Sequence, residues 1–382
     1  MTKKVLVVDD SALMRRVISD IIGTDKRFVV DSTALNGLDA LDQIVKEPKR
    51  FDLVILDINM PKMNGIEFLE QLEKLNLSLK VIVVSTVAKE GAKETIRCLE
   101  LGAFDFVTKP ESFIEAKGDI FRKRIIHKLC IAAGYDEEEP VPSTDVKKTP
   151  NKVTSSVKSE EDAENSKQIS SFRASTIKAD KRPFKHAGAG AKKLVALACS
   201  TGGPKALNCL IPMLPKNLNA PMVIVQHMPE GFTNSLAQRL DELSAIHVKE
   251  AENGEPIQSG VVYIAKGGSQ LRLKQNGKQH LLQVSVEEAR NGLKPCADIM
   301  YESVLDCDFD EIICVVLTGM GADGTLGISQ LNDKKNIYVI SQTKETCIVY
   351  GMPKVVAEAG LSDEVVPLEK IAESITKIVG VH

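Results

Sequence analysis

The feature that most constrains this chain is a recurring segment: a short, unbroken apolar run that ends in polar residues able to do chemistry. Val5-Leu6-Val7-Val8 and residues 53–56 and 81–84 are such runs in the first third; residues 194–198, 222–225 and 312–317 repeat the pattern later. A half-exposed strand alternates apolar and polar residues. An unbroken run buries both faces, as in a parallel sheet covered by helices on each side. Amphipathic stretches fill the intervals. Ser11 is placed to cap a helix whose Leu13, Met14, Val17, Ile18, Ile21 and Ile22 share one face, and Phe232–Leu243 and residues 371–379 also read as helices. Strand and helix thus alternate, the pattern of an α/β doubly wound parallel sheet.

The alternation stops after Tyr135. Asp136-Glu137-Glu138-Glu139, Pro140 and Pro142 lead into a mixture of Lys, Ser, Thr, Glu and Asp with few apolar residues. Such a stretch cannot bury enough surface to offset its ordering entropy, so a disordered linker is expected over 134–190. It separates a domain at 1–133 from a second at 191–382, in keeping with a chain too long for one ordinary domain. In the second domain the signal shifts between residues 261 and 286. Leu271 and Leu273 alternate with polar residues before Asn276-Gly277, a strong two-residue hairpin signal. A mainly parallel sheet with an antiparallel hairpin is expected there.

Composition excludes several roles. A net charge of -3 gives no reason to expect nucleic acid or an anionic membrane as partner, and the C-terminal half has no basic reading helix for DNA. The first apolar run stops at Asp9-Asp10, too short for a signal peptide. No other segment approaches spanning length, so a cytoplasmic protein without membrane insertion is expected. The cysteines at 98, 130, 199, 209, 296, 307, 314 and 347 show no zinc spacing, and several sit inside apolar runs; buried reduced thiols are expected.

In open α/β sheets, functional groups gather beyond the carboxyl ends of the strands. Asp9 and Asp10 end the first run, Asp57 ends 53–56, Ser85 and Thr86 end 81–84, and Lys109 follows Phe106-Val107-Thr108. Three carboxylates converging at one edge repel one another unless a hard cation joins them, which suggests Mg²⁺. A carboxylate beside that ion can accept a phosphoryl group, with Lys109 and Ser85 compensating its charge. Val7-Val8-Asp9-Asp10-Ser11, the stretch from Leu56-Asp57 to Asn64-Gly65, and Phe106-Val107-Thr108-Lys109-Pro110 resemble the signature of response-regulator receiver domains over roughly residues 1–130. The resemblance implies Asp57 as phosphoacceptor, with Asp10 and Asp57 as direct metal ligands, Asp9 through water, and the Asn59 carbonyl as a further ligand. It also implies Ser85 as phosphoryl sensor and Phe106 as a switching aromatic.

The second domain repeats the logic. Ser200 follows 194–199 and precedes Thr201-Gly202-Gly203-Pro204 at the start of a helix; His227 ends 222–226; Asp323 lies in a Gly-rich segment past 312–317. An alcohol, a base and an orienting acid therefore fall on one sheet edge, where a nucleophilic triad needs them. The order Ser, His, Asp and the absence of Gly-x-Ser-x-Gly argue against a lipase-type fold. Each residue has a plainer reading alone: a helix cap, a buried imidazole, a turn acid. Thr201 and Met320 are the backbone N–H candidates for an oxyanion. Cys199 is a lesser nucleophile candidate, since neighbouring side chains at a strand end point oppositely.

Ser200-Thr201-Gly202-Gly203-Pro204, the stretch from Gln226-His227 to Phe232-Thr233, the stretch from Leu317-Thr318 to Asp323-Gly324, and Tyr350-Gly351-Met352-Pro353 resemble the catalytic domain of chemotaxis protein-glutamate methylesterases. The resemblance implies Ser200 as nucleophile, His227 as general base and Asp323 as orienting acid, with no cofactor for ester hydrolysis. It implies glutamate γ-methyl esters on chemoreceptor helices as substrates, deamidation of receptor glutamines, and a chemotaxis histidine kinase as phosphodonor to a monomer. It further implies that the unphosphorylated receiver covers the active site. A linker about four times the family's usual length would weaken that docking by only ~1.2 kcal/mol. Cys199 and Lys294-Pro295-Cys296 depart from the family's usual residues. A non-catalytic docking module is the rival, opposed by intact Ser200, His227 and Asp323.

Overall fold

The computed structural model describes residues 2–135 except 111 and 117, and residues 179–381 except 189. Most of the linker expected over 134–190 lies outside the described residues. Its described end does not behave as a linker. Ala179 N–H donates to the Ala359 carbonyl at 3.0 Å, Arg182 and Lys185 N–H donate to Asn332 and Asn336 side chains, and Ala187 N–H donates to the buried Glu311 at 2.5 Å. Packing on the second sheet thus begins well before residue 191.

The N-terminal sheet is parallel and five-stranded, in the order β2-β1-β3-β4-β5, formed by β1 (Lys3–Val8), β2 (Phe28–Ala34), β3 (Leu53–Asp57), β4 (Lys80–Ser85) and β5 (Asp105–Thr108). The unbroken runs form its centre, with Val5 to Val8 and Val54 to Leu56 fully buried. Helices α1 (Ala12–Ile22), α2 (Gly37–Lys46), α3 (Gly65–Lys74), α4 (Lys89–Glu100), the short α5 (Phe113–Ala116) and α6 (Asp119–Ala133) alternate with the strands. Ser11 caps α1 as expected, accepting from Met14 N–H. Leu13, expected on the buried face, is instead exposed; the face narrows to Val17, Ile18, Ile21 and Ile22.

The second sheet has seven parallel strands in the order β14-β13-β12-β6-β7-β9-β8. These are β6 (Lys193–Cys199), β7 (Met222–Gln226), β8 (His247–Glu250), β9 (Val261–Ile264), β12 (Glu311–Val316), β13 (Ile337–Gln342) and β14 (Glu364–Val366). A separate antiparallel hairpin joins β10 (Gln270–Asn276) to β11 (Gln279–Ser285). Its register differs by one residue from the expected turn: Asn276 still pairs with Gln279, leaving Gly277 and Lys278 as the loop. Glycine comes first because that position takes φ 59°. The helices are α7 (Gly203–Leu210), α8 (Phe232–Leu243), α9 (Ala297–Ser303), α10 (Thr325–Lys334), α11 (Met352–Glu358) and α12 (Leu368–Val379). All eight cysteines are free, with Cys209 and Cys347 only half-buried. No helix among the described residues is long and apolar enough to cross a membrane.

The two domains pack α4 and β5 of the first against α7 and α8 of the second. The Phe106 and Phe232 rings meet at 4.6 Å between centroids, their planes tilted by 35°. Arg239 of α8 grips Glu100 of α4 through Nε at 2.6 Å and Nη2 at 3.3 Å.

Candidate active site

β6, β7 and β12 are neighbours in the second sheet and end together, so their following residues share one edge. Ser200 steps off β6 with its N–H donated to the Thr318 carbonyl at 3.0 Å, and the His227 N–H reaches the Cys199 carbonyl at 3.1 Å. Two glycines make the turn after Ser200 possible. Gly202 takes φ 82°, and a Cβ at Gly203 would lie 1.9 Å from Gln226 Oε1. On the facing loop, a Cβ at Gly319 would lie 2.8 Å from the Ser200 Cβ.

His227 Nε2 donates to Asp323 Oδ2 at 2.7 Å, with both side chains nearly buried. This fixes the tautomer: Nε2 carries the proton and Nδ1 is left to accept one. Burial pushes the Asp323 carboxyl up. The His227 bond and charge and the N–H donors of Asp298 and Ala297 outweigh it and hold the group down at about 2. Ser200 and His227 line the same cavity, but no Ser200–His227 hydrogen bond forms among the described residues. Catalytic bonds of this kind often tighten only with substrate in place. The Thr201 and Met320 N–H groups have no acceptor among the described residues, the state an oxyanion donor needs. Cys199 points away, donating its thiol to Gln226 Oε1 at 3.0 Å, and full burial pushes its pKa up; it is not a thiolate nucleophile.

Sequence reasoning missed the residues that hold this edge together. Gln226 Nε2 donates to the Ser200 carbonyl at 3.0 Å; the buried Thr318 hydroxyl lies 3.0 Å from the Thr201 carbonyl and accepts Val349 N–H at 2.9 Å. The cover implied by the resemblance was expected, but not the residues that form it. Asp105 and Phe106 of β5, with Leu99 and Lys128, close the space over Ser200 and His227, and Thr201 Oγ1 donates to Asp105 Oδ2 at 2.6 Å. Lys128 pairs with the same carboxylate at 2.5 Å. The cavity that remains is 10 Å³, room for about one water. Phe106, expected as a switching aromatic, thus sits at the domain junction.

At the other edge, Asp9, Asp10 and Asp57 each offer a carboxylate oxygen within 4.8 Å of the others. Lys109 Nζ lies 2.7 Å from Asp57 Oδ2 and 3.3 Å from Asp9 Oδ2. The second contact is an ion pair without hydrogen-bond geometry, so the buried Asp9 Oδ2 has no hydrogen-bond donor. Burial raises the Asp57 pKa, and the Asp9 charge adds to the rise beyond what Lys109 and the Ile58 N–H take back. An orphaned buried oxygen and a crowded acid fit a hard cation. Ser85 is turned toward α4, where its hydroxyl donates to the Gly91 carbonyl at 3.1 Å and accepts from Thr95 at 2.6 Å. The Asn59 side chain donates to Glu94, and no contact places its carbonyl. Gly65 packs so tightly on this edge that a Cβ would lie 2.6 Å from the Asp57 carbonyl oxygen. Arg15, unremarked in the sequence, ties down the Asp9 and Asp10 carbonyls.

A phosphoacceptor-type acid edge in one domain and an acyl-transfer edge in the other define a response regulator joined to an ester hydrolase. Residues 5–118 match the response regulator receiver domain model, and residues 195–375 match that of the CheB methylesterase. A protein-glutamate methylesterase/protein-glutamine glutaminase of Halalkalibacterium halodurans is 41% identical over 374 residues, covering 98% of this chain and 97% of its own. Its Bacillus subtilis counterpart is 39% identical, covering 98% of each. The chain belongs to this family of methylesterase/glutaminase enzymes. The crystal structure of a Thermotoga maritima CheB methylesterase catalytic domain is 44% identical, covering 50% of this chain and all of that one, with a TM-score of 0.48.

Proposed function

We propose that the enzyme hydrolyses glutamate γ-methyl esters on chemoreceptors, and deamidates receptor glutamines, through Ser200, His227 and Asp323, under control of phosphorylation at Asp57. The observation that carries this reading is the His227–Asp323 bond beside Ser200, on an edge capped by the receiver's β5. His227 Nδ1 takes the Ser200 proton as Oγ bonds to the ester carbonyl carbon. Thr201 and Met320 N–H receive the oxyanion. The carbon–methoxy bond breaks, and His227 returns the proton to methoxide as methanol. Water then adds to the glutamyl-serine ester, passing its proton through His227 to Ser200 as the free carboxyl leaves. A glutamine follows the same course with ammonia departing.

A histidine kinase is the phosphodonor in this reading, and Asp57 the acceptor. Asp9, Asp10 and Asp57, with the Asn59 carbonyl, would hold Mg²⁺, which when bound neutralises the charge on the transferring group. Lys109 already faces Asp57 and would bind the acquired phosphoryl oxygens. Ser85, to join it, must leave Thr95 and Gly91. That shift lies next to α4, which packs on the catalytic domain, and so offers a route from phosphorylation to release of the lid. A receiver over 1–133, a catalytic domain that takes in the packed residues from 179 onward, a monomeric state and a cytoplasmic site accord with this role in receptor adaptation. The test is methanol release from methylated receptor membranes. A phosphodonor should raise the rate of the wild type, and Ser200→Ala should release none; equal rates with and without donor would refute the switch.

A further inference from the structure

Asp323 is held from more sides than a bond to His227 requires. Its Oδ2 accepts His227 Nε2 at 2.7 Å and the Ala297 N–H at 2.6 Å, while Oδ1 accepts the Cys296 thiol at 3.1 Å and the Asp298 N–H at 3.0 Å. Three of these donors come from one turn, Cys296, Ala297 and Asp298, at the start of α9. The turn is repaid in kind. Asp298 Oδ1 accepts the N–H of Gly324 at 2.9 Å and of Gly327 at 2.8 Å, both at the start of α10, the helix that follows Asp323. Each helix start therefore binds the carboxylate supplied by the other. The approach is close: Gly324 takes φ 94°, and a Cβ at Gly327 would lie 2.6 Å from the Tyr301 Cβ.

We propose that Cys296 and Asp298 are positioning residues of the esterase reaction, which fix the Asp323 carboxylate in the plane and distance that His227 needs. The proposal rests on the triad reading above. A carboxylate bonded only to an imidazole turns easily about its last torsion, which has broad minima. Donors on both oxygens remove that freedom, and small misplacements are costly in acyl transfer. Burial and the Asp323 charge both raise the Cys296 pKa, so the thiol stays protonated and able to donate. Burial, then the Asp323 charge, raises Asp298 to about 7, while its two backbone donors oppose the rise. The other ionisable groups around this centre are the buried Tyr301 and half-buried Glu302 of α9, Arg290, which pairs with Glu302, and, across the cavity from His227, Asp105 and Lys128 of the receiver.

The arrangement has an electrostatic consequence. A donor on Asp323 disperses its negative charge. Without the Cys296 donor, more of that charge faces the His227 imidazolium, so the acid limb of the kcat/KM profile should move to higher pH. Packing alone would not move it. The experiment uses the full-length enzyme, activated by phosphodonor, with methanol release from methylated receptor membranes. Cys296→Ala should lower kcat about tenfold with KM within about twofold, and raise the limb. Cys296→Ser, whose hydroxyl can donate, should recover most of both. An unchanged kcat and limb in Cys296→Ala, or no recovery in Cys296→Ser, overturns the proposal. Should Cys296→Ala fail to fold, Asp298→Ala and Asp298→Asn carry the test: Ala removes the acceptor for Gly324 and Gly327 and should lower kcat with KM within about twofold, while Asn keeps the acceptor and should recover most of the loss. An unchanged kcat in Asp298→Ala, or no recovery in Asp298→Asn, overturns the proposal equally. Methanol release by Ser200→Ala at the wild-type rate would instead sink the triad itself.

Discussion

The two sheet edges place acids by the same rule and treat them in opposite ways. At the receiver edge Asp9 and Asp57 are buried with too few donors: Asp9 Oδ2 has no hydrogen bond, and burial leaves Asp57 with a raised pKa. At the catalytic edge Asp323 is equally buried, but donors reach both of its oxygens and its pKa falls to about 2. An undersupplied carboxylate is poised to gain a cation and a phosphoryl group. A fully supplied one is preorganised and has no reason to move. The difference teaches where regulation can enter. The catalytic edge cannot easily be switched from within, so in the proposed scheme control falls to what covers it, Asp105 and Phe106 of the receiver.

The comparison breaks first if Asp323 is dispensable. Asp323→Asn should lower methanol release by about 10⁴-fold, because the amide favours the wrong imidazole tautomer. A loss under tenfold would mean that the acid does not orient His227. Next in size is the lid. Asp105→Asn weakens a hydrogen bond from Thr201 and deprives Lys128 of its anionic partner, so the unstimulated rate should rise about tenfold. An unchanged basal rate would show that β5 does not hold the lid down.

The undersupplied edge predicts that chelation by EDTA, or Asp57→Asn, removes the phosphodonor response; persistence of the response after either would contradict it. Stability should separate the acids of the catalytic edge as well. Asp298, raised to about 7 in the fold against ~3.9 unfolded, holds more protons when folded, so its contribution declines as pH rises from about 4 to 7. Asp323, lowered to about 2, contributes above pH 4 and loses that contribution as pH falls toward 2. Urea midpoints should therefore fall more steeply between pH 5 and 7, on the order of that window, in the wild type than in Asp298→Asn. Parallel curves would contradict the assignment. The smallest effect belongs to Arg239→Ala. Its pair with Glu100 is partly exposed, so the basal rate should rise no more than about fivefold.

The central strands were legible because burial on both faces writes an unbroken apolar run. In the two parallel sheets β2, β8 and β14 left no such mark, each at the border of its sheet. A border strand is half covered, and β2 accordingly mixes Asp31, Ser32 and Thr33 into its sequence. The reactive residues were legible for a related reason, since strand ends gather at one edge. Their supports were not. Gln226, Thr318, Cys296 and Asp298 act on backbone or carboxylate groups far away in sequence, and nothing local marks a side chain for such a partner. Nor does the sequence say which face of the receiver docks. Asp105 looks like an ordinary strand-start acid until Thr201 is brought to it.

The claim that the receiver's β5 closes a preorganised triad is tested most directly by the rate at which a fluorophosphonate phosphonylates the full-length chain at Ser200, the serine oxygen displacing fluoride from phosphorus. Labelling should be slow without phosphodonor, accelerate with phosphodonor and Mg²⁺, and stay slow in Asp57→Asn under both conditions. Equal labelling rates in all of these states would contradict it.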